Sequence, residues 1–209
     1  ESLGDGNVAS SANIVVEIIA QAGSQIKFAA IDRLGKHLDT YIARRGLLGN
    51  DASIDWAIGL MNQGNVVADF DSDLKGNGSH ANLKVVALSS GRQVQGVDTR
   101  VSNYGHIIRG AKGADAQQES RVLMLSDKAR SDANPILLID ENEVTAGHAA
   151  SIGQVDPEDM YYLMSRGLDR ATAERLVVRG FLGSVITEIP VKEVRDELVA
   201  VIDEILTKR

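Results

Sequence analysis

Apolar and polar positions alternate along the first half of the chain. Ile14, Val16 and Ile18 fall on one face of an extended segment, and Val15, Glu17 and Ile19 on the other. After Gly23 the alternation returns as Ile26, Phe28 and Ala30 against Gln25, Lys27 and Ala29. It breaks at Gly35 and returns as Ile54, Trp56 and Ile58 against Asp55 and Ala57, then as Leu83, Val85 and Ala87 against Lys84 and Val86. Gly23, Gly35, Gly49, Gly64, Gly76 and Gly91 punctuate these runs at separations of 12, 14, 15, 12 and 15. Short strands at even spacing predict a sandwich, a barrel or a β-solenoid. The recurring turns Gly49-Asn50, Gly64-Asn65 and Gly76-Asn77-Gly78, and the rarity of two-residue hairpin signals, favour the solenoid.

Residues 114–121 read as a polar stretch, Val122–Leu125 as an apolar strand, Ser126–Asn134 as a charged loop ended by Pro135, and Ile136–Ile139 as a second buried strand. Beyond Asp156 the period changes. Asp156 is a good helix N-cap, with Pro157 at the first helical position and Glu158 and Asp159 in the first turn. Met160, Leu163 and Met164 share a face, and Gly167 suits the C-terminal stop. A second helix follows Asp169, its apolar positions being Ala173, Leu176, Val177, Gly180, Phe181 and Val185. Pro190 opens a third, in which Val191, Val194, Leu198, Val201 and Ile205 form a narrow stripe suited to burial within the chain or to docking a partner. The expected division is a β-region over 1–155 and a helical subdomain over 156–209.

Composition narrows the function. With 209 residues and 44% apolar positions a core can form, but aromatics are only 4%, so that core is aliphatic. A net charge of −7 without a basic block gives no nucleic-acid footprint. The absence of cysteine excludes disulfides and thiolate metal sites made by these residues alone. No apolar run approaches the roughly 20 residues that span a bilayer, and Glu1–Gly6 lacks the regions of a secretory signal. A cytoplasmic protein is expected.

Catalytic signatures fail in turn. Gly35-Lys36 lacks the rest of a phosphate-binding loop. Gly76-Asn77-Gly78-Ser79-His80-Ala81 leads into a strand rather than the helix a dinucleotide site needs. No zinc-protease helix and no nucleophile elbow occur, so a self-sufficient enzyme is not expected. Asp69, Asp71 and Asp73 would share one strand face and could hold a hard cation, but Gly76 is misplaced for a calcium loop and a solvated face is the better account of them. His37, His80 and His106 are expected on the surface. His148 differs because Gly147, Ala149 and Ala150 leave it accessible, and Asp140, Glu141 and Glu143 could orient it or add oxygen ligands. A lone histidine still needs converging partners to be a site.

The segment SRVLMLSDKARSDANPILLIDENEVTAGHAASIGQVDPEDMYYLMSRGL resembles the C-terminal core of the SufB/SufD family of iron–sulfur cluster assembly scaffolds. The resemblance is close over Glu119–Arg209 and extends upstream through TYIARRGLLGNDASIDWAIGLMNQGNVVADF. It implies a right-handed parallel β-helix followed by a C-terminal α-helical subdomain. Ala149 stands where SufB-type chains carry an acidic residue, and the SufB cysteine has no counterpart, so the resemblance points to the SufD side of the family. It implies a non-catalytic subunit of a SufBCD complex, paired with a SufB-like subunit and a SufC-like ATPase, with a homodimer open to the isolated chain. It implies that His148 is a ligand to iron or to a transient nascent iron–sulfur cluster shared with the partner, none being held by this chain alone. It also implies that the helices from Asp156 dock the ATPase, with Met160, Tyr161, Leu163, Arg166, Leu176, Arg179 and Phe181 as candidate contacts. Two departures accompany it. Val101–Gly105 and His106–Gly110 abut where the family has further rungs, and the family's N-terminal helical region is missing, as in a fragment. Two other readings stand beside this one: a solenoid carbohydrate lyase or hydrolase using Asp69, Asp71 and Asp73, and a purely structural dimerisation module.

Overall fold

The computed structural model describes residues 2–3, 8–103, 111–189 and 192–207. Eleven strands come first: β1 (Ser2–Leu3), β2 (Ser10–Ala20), β3 (Gln25–Leu34), β4 (Leu38–Leu48), β5 (Ser53–Leu60), β6 (Val66–Leu74), β7 (His80–Ser89), β8 (Val94–Asn103), β9 (Asp115–Met124), β10 (Arg130–Ile139) and β11 (Thr145–Gln154). Three helices follow: α1 (Pro157–Ser165), α2 (Arg170–Glu188) and α3 (Lys192–Thr207). Odd strands form one sheet in the order β1-β3-β5-β7-β9-β11, and even strands the other, β10-β8-β6-β4-β2. Every pairing is parallel. The fold is a parallel β-solenoid of about five turns. Each short turn sends the chain to the opposite sheet, so the strand after next lands beside its predecessor without a helical crossover.

The Gly/Asn turns stack into a corner ladder. Asn77 N donates to Asn50 Oδ1 at 2.9 Å, Lys112 N to Asn77 Oδ1 at 3.0 Å, and Gly113 N to Glu143 O at 2.6 Å. Asparagine suits such a ladder because its side chain mimics the peptide group of a turn.

In-register pairing aligns inward side chains in columns that run through the solenoid. One is Ile26–Ile54–Ala81–Ala116–Ala146 and the next is Phe28–Trp56–Leu83–Gln118–His148. The middle rungs are aliphatic and closely packed, with Ile42, Ile54, Ile58, Leu60, Ala68 and Phe70 buried. They also enclose an ion pair that hydrophobic patterning does not anticipate: Asp32 lies inward of β3 and receives two hydrogen bonds from Arg44, at 2.7 and 2.8 Å.

Helices α2 and α3 cover part of the outer face of the odd-strand sheet. Val178, Leu182, Leu198, Val201 and Ile202 pack on Ile31, Ala57, Met61, Val86, Leu88, Leu123 and Leu125. Gly59 makes room, since a Cβ there would sit 3.3 Å from Leu198. Arg33 holds Glu204 at 2.7 Å at the edge of this contact. The α3 stripe is therefore buried within the chain. The α2 stripe read from sequence is partly out of phase: Ala173 is buried and Phe181 packs on the core as read, but Val178 and Leu182 are buried while Leu176 is 50% exposed. Pro190 and Val191 lie outside the described residues.

Two segments read as a polar stretch and a charged loop contribute to strands. The polar stretch 114–121 lies largely in β9, and the charged loop 126–134 gives way to β10 at Arg130. Neighbouring rungs supply the hydrogen-bond ladder, so local polarity does not prevent extension. Pro135 sits within β10 because that strand pairs only with β8 and is a sheet edge.

The helix starts are as expected. Asp156 accepts from Glu158 N at 2.8 Å, and Gly167 ends α1 with φ +94°. Asp169 accepts from Thr172 N at 2.9 Å and from Thr172 Oγ1 at 2.8 Å. These two bonds, the backbone one first, hold its pKa below the usual aspartate value. The lowered folded-state pKa means that this cap stabilises above the unfolded-state value near 4 and fades as pH falls through the folded value. Asp169→Ala should therefore lower the melting temperature at neutral pH, and the gap from the parent should shrink as pH drops below about 4. A gap independent of pH in thermal scans would contradict the charged cap.

Candidate functional site

The site is built where the solenoid interior meets an open strand edge. Among the described residues β11 pairs with β9 on one side and has no strand on the other, as β10 has only β8. His148 is inward by register, above Gln118, yet it is exposed because no rung closes over it. Ala146, Gly147, Ala149 and Ala150 beside it present no bulk. The imidazole is thus the one metal-competent group on β11, reachable from the open end.

Beneath it the interior changes chemistry. Where lower rungs carry isoleucine and leucine, β8 and β9 carry Gln95, Thr99, Gln118 and Ser120, all buried. Gln118 Nε2 donates to Ile136 O on the terminal rung at 2.9 Å, and Gln95 Nε2 to Leu88 O at 3.1 Å. Gln95 Oε1, Thr99 Oγ1, Gln118 Oε1 and Ser120 Oγ have no protein partner. Gln118 escapes a sequence reading because its alternation with Ala116, Ser120 and Val122 is hidden by polarity. The inward pattern Ala-Gln-Ser-Val is the signal that could have found it.

The acidic residues near His148 in sequence do not gather on it. Glu143 pairs with Lys112 at 3.0 Å, and Glu141 accepts from the Asn142 backbone N–H at 2.9 Å. Among the described residues no three His, Asp or Glu side chains converge as a metal site. A single imidazole leaves most of a metal's coordination sphere open, so His148 by itself is not a complete ligand set.

The Asp69, Asp71, Asp73 face is organised for a different purpose. All three project outward from β6, but Asp71 is gripped by Arg100 through two bonds of 2.7 and 2.9 Å and faces Arg45 at 3.7 Å. Register extends this into a charge-alternating ladder, Glu17–Arg45–Asp71–Arg100, across four strands. Asp69 accepts from Tyr41 at 3.4 Å, and its carboxyl is pushed up by burial first and by Asp71 second. The charge in the middle of the set is neutralised by arginine, which disfavours a hard cation.

Of the other histidines, His37 is exposed, and His80 Nδ1 lies 3.1 Å from Asp115 on the neighbouring strand rather than isolated. His106 and the junction Tyr104–Gly110 lie outside the described residues. On the helices, Tyr161 is 75% exposed, and Arg166, Leu176 and Arg179 are also exposed. Arg166 stacks over Tyr162 and Arg179 pairs with Asp203. Leu163 is half-buried. Met160 is buried and Phe181 packs into the helix–sheet core, so neither presents a free side chain to a partner. Tyr162 and Met164, which the sequence reading did not single out for docking, join the exposed set.

A parallel two-sheet solenoid flanked by helices, with an accessible imidazole on its terminal strand, defines the fold class. Comparison identifies the family. The model of the family "SUF system FeS cluster assembly, SufBD core domain" matches residues 1–107 and 103–181, and the chain belongs to that family. Its two segments meet at the junction where sequence alone placed a break in the rungs. The chain is 43% identical to the iron–sulfur cluster assembly protein SufD of Bacillus subtilis, over 91% of this chain and 50% of that protein. It is 48% identical to a SufBD family protein of Mycobacterium tuberculosis over 44% of this chain and 24% of that one. A further SufBD family protein, of Mycobacterium leprae, is 26% identical over 85% of this chain and 23% of its own length. The chain spans half or less of the length of these curated relatives. Its similarity to the Bacillus subtilis protein makes the chain SufD-like within that family. Among the described residues no helix is long and apolar enough to cross a membrane.

Proposed function

We propose that this chain is a non-catalytic subunit of a cytoplasmic SufBCD-type complex, pairing with a SufB-like subunit and a SufC-like ATPase. In this reading His148 supplies one ligand to iron or to the nascent cluster, and the partner completes the site. The observation that carries it is the placement of His148: an accessible imidazole on the edge strand β11, framed by alanine and glycine, where no group of three metal-ligating side chains forms among the described residues. A site built this way is incomplete until another surface meets it. These 209 residues hold no cysteine, so any thiolate at the site comes from outside them.

Two features support the partners. The edges of β10 and β11 offer unpaired backbone groups at the same end of the solenoid as His148, a natural pairing surface for another β-helix. Two copies could use the same edges when the chain is isolated. Away from the sheet, Tyr161, Tyr162, Met164 and Leu176 expose aromatic and aliphatic surface on α1 and α2, the kind of side chains that anchor interfaces. The cluster is cargo here, held in passing rather than as a resident cofactor.

The test is His148→Ala in the full-length protein, reconstituted with its SufB-like and SufC-like partners. Cluster formation, followed by the visible absorption of the iron–sulfur chromophore, should fall by about tenfold or more while the complex elutes intact, in line with losses seen when metal-site groups are removed. Undiminished cluster formation in an intact complex would sink the role of His148.

A further inference from the structure

Buried polar atoms are nearly always partnered, so orphans concentrated in one place call for an explanation. Of the eight such atoms among the described residues, four occur together, on the inward faces of β8 and β9, directly under the rung that carries His148. Gln118 is the one whose next neighbour in its column is His148. Side chains at such positions are separated by the strand spacing of about 4.8 Å, within reach of a hydrogen bond after small rotations. The amide is already oriented. Its nitrogen is committed to Ile136 O at 2.9 Å, which leaves Oε1 as the free, buried acceptor.

We propose that Gln118 is the positioning residue for His148, its Oε1 accepting the ring N–H that faces the solenoid interior. A neutral imidazole carries one N–H and one lone pair, and whichever nitrogen is held as the donor leaves the other as the ligand. With the inward nitrogen engaged by Gln118, the lone pair faces the open end. Gln118 thereby does from within the solenoid what the neighbouring acids Asp140, Glu141 and Glu143 do not, and its bond to Ile136 ties this orientation to β10, the other strand of the terminal rung. The functional meaning of this arrangement rests on the reading of His148 as a ligand. The tautomer itself does not.

The experiment uses the full-length protein with 15N-labelled histidine and no metal, at a pH of about 8, above the range in which free imidazole protonates. The His148 ring resonances are assigned by their loss in His148→Ala. The parent should show one protonated and one unprotonated nitrogen, well separated in shift. Gln118→Met, which keeps length and removes the acceptor, should bring the two shifts together as the tautomers mix. Gln118→Glu, which keeps an acceptor, should hold them apart. Melting curves establish that each variant is folded. A Gln118→Met protein with the parent's ring shifts, or a Gln118→Glu protein that mixes tautomers as Met does, overturns the proposal. A tautomer that follows Gln118 while His148→Ala leaves cluster formation untouched would retain the positioning and discard the ligand role.

Discussion

Asp32→Ala is expected to destabilise the solenoid by about 3–5 kcal/mol, the range for removing one partner of a buried ion pair. The reason lies in how completely the pair is enclosed. Asp32 and Arg44 are at most 1% exposed, and the guanidinium is bound through both terminal nitrogens. Its flat faces are near Phe28 and Phe70, each ring centre 5.8 Å from the guanidinium carbon. Arginine Nε already lacks a partner. With the carboxylate gone, a full charge would be stranded between Phe28 and Phe70, with only its cation–aromatic contacts to those two rings to offset the loss. Removing both charges is a different experiment. Asp32→Leu with Arg44→Met takes away the desolvation penalty along with the attraction, and such replacements are often neutral or stabilising. The double variant should therefore be clearly more stable than Asp32→Ala. Urea denaturation followed by far-UV circular dichroism measures both. A loss of under about 1 kcal/mol for Asp32→Ala, the value of an exposed pair, would mean that water reaches the guanidinium.

The same pair explains what the sequence could not reveal. Alternation assigns a face to each residue, and in β3 it places Asp32 in phase with Ile26, Phe28, Ala30 and Leu34. That phase is correct, but an acidic residue is normally read as outward, and its cancelling partner is a residue of another strand. Gln118 and Ser120 disguise β9 for the same reason. Where inward residues are aliphatic the reading succeeds, as it does for β2, β3, β5 and β7, and the Gly/Asn turns stack as their spacing suggests. The helix starts at Asp156 and Asp169 were legible because capping is local chemistry. The phase of α2 was not, because Leu176, Val177, Val178, Phe181 and Leu182 wrap apolar surface around the helix and only the sheet decides which of them is covered. His148 was visible as an accessible histidine. Its inward position above Gln118 depends on register between strands about 30 residues apart, which no local pattern encodes.

Gly76→Ala is the substitution expected to do most damage for the least change in mass. A Cβ on Gly76 would lie 2.0 Å from Gly49 C and 2.1 Å from Asn50 N, both backbone atoms of the turn one rung below. No side chain can rotate away to relieve this, so the turns themselves must separate. Gly76 N donates to Leu48 O at 3.1 Å, and the adjacent Asn77 N to Asn50 Oδ1, so separation strains the bonds that stack the corner. The expected cost is about 3 kcal/mol or more, beyond ordinary overpacking because backbone rather than side chain must yield. Gly96→Ala is the matched control. Its added methyl meets nothing within 4 Å on the outer face of β8, and its effect should stay within about 0.5 kcal/mol. The consequence reaches the candidate site along the same corner. Asn77 Oδ1 receives Lys112 N, and the next residue, Gly113, donates to Glu143 O just ahead of β11. Loosening the corner at Gly76 should therefore speed hydrogen exchange in the turns at Asn77, Gly113 and Thr145, leaving the amides of α3 at parental rates. Exchange unchanged at Gly113 and Thr145 would show that each rung holds its register on its own, without the ladder.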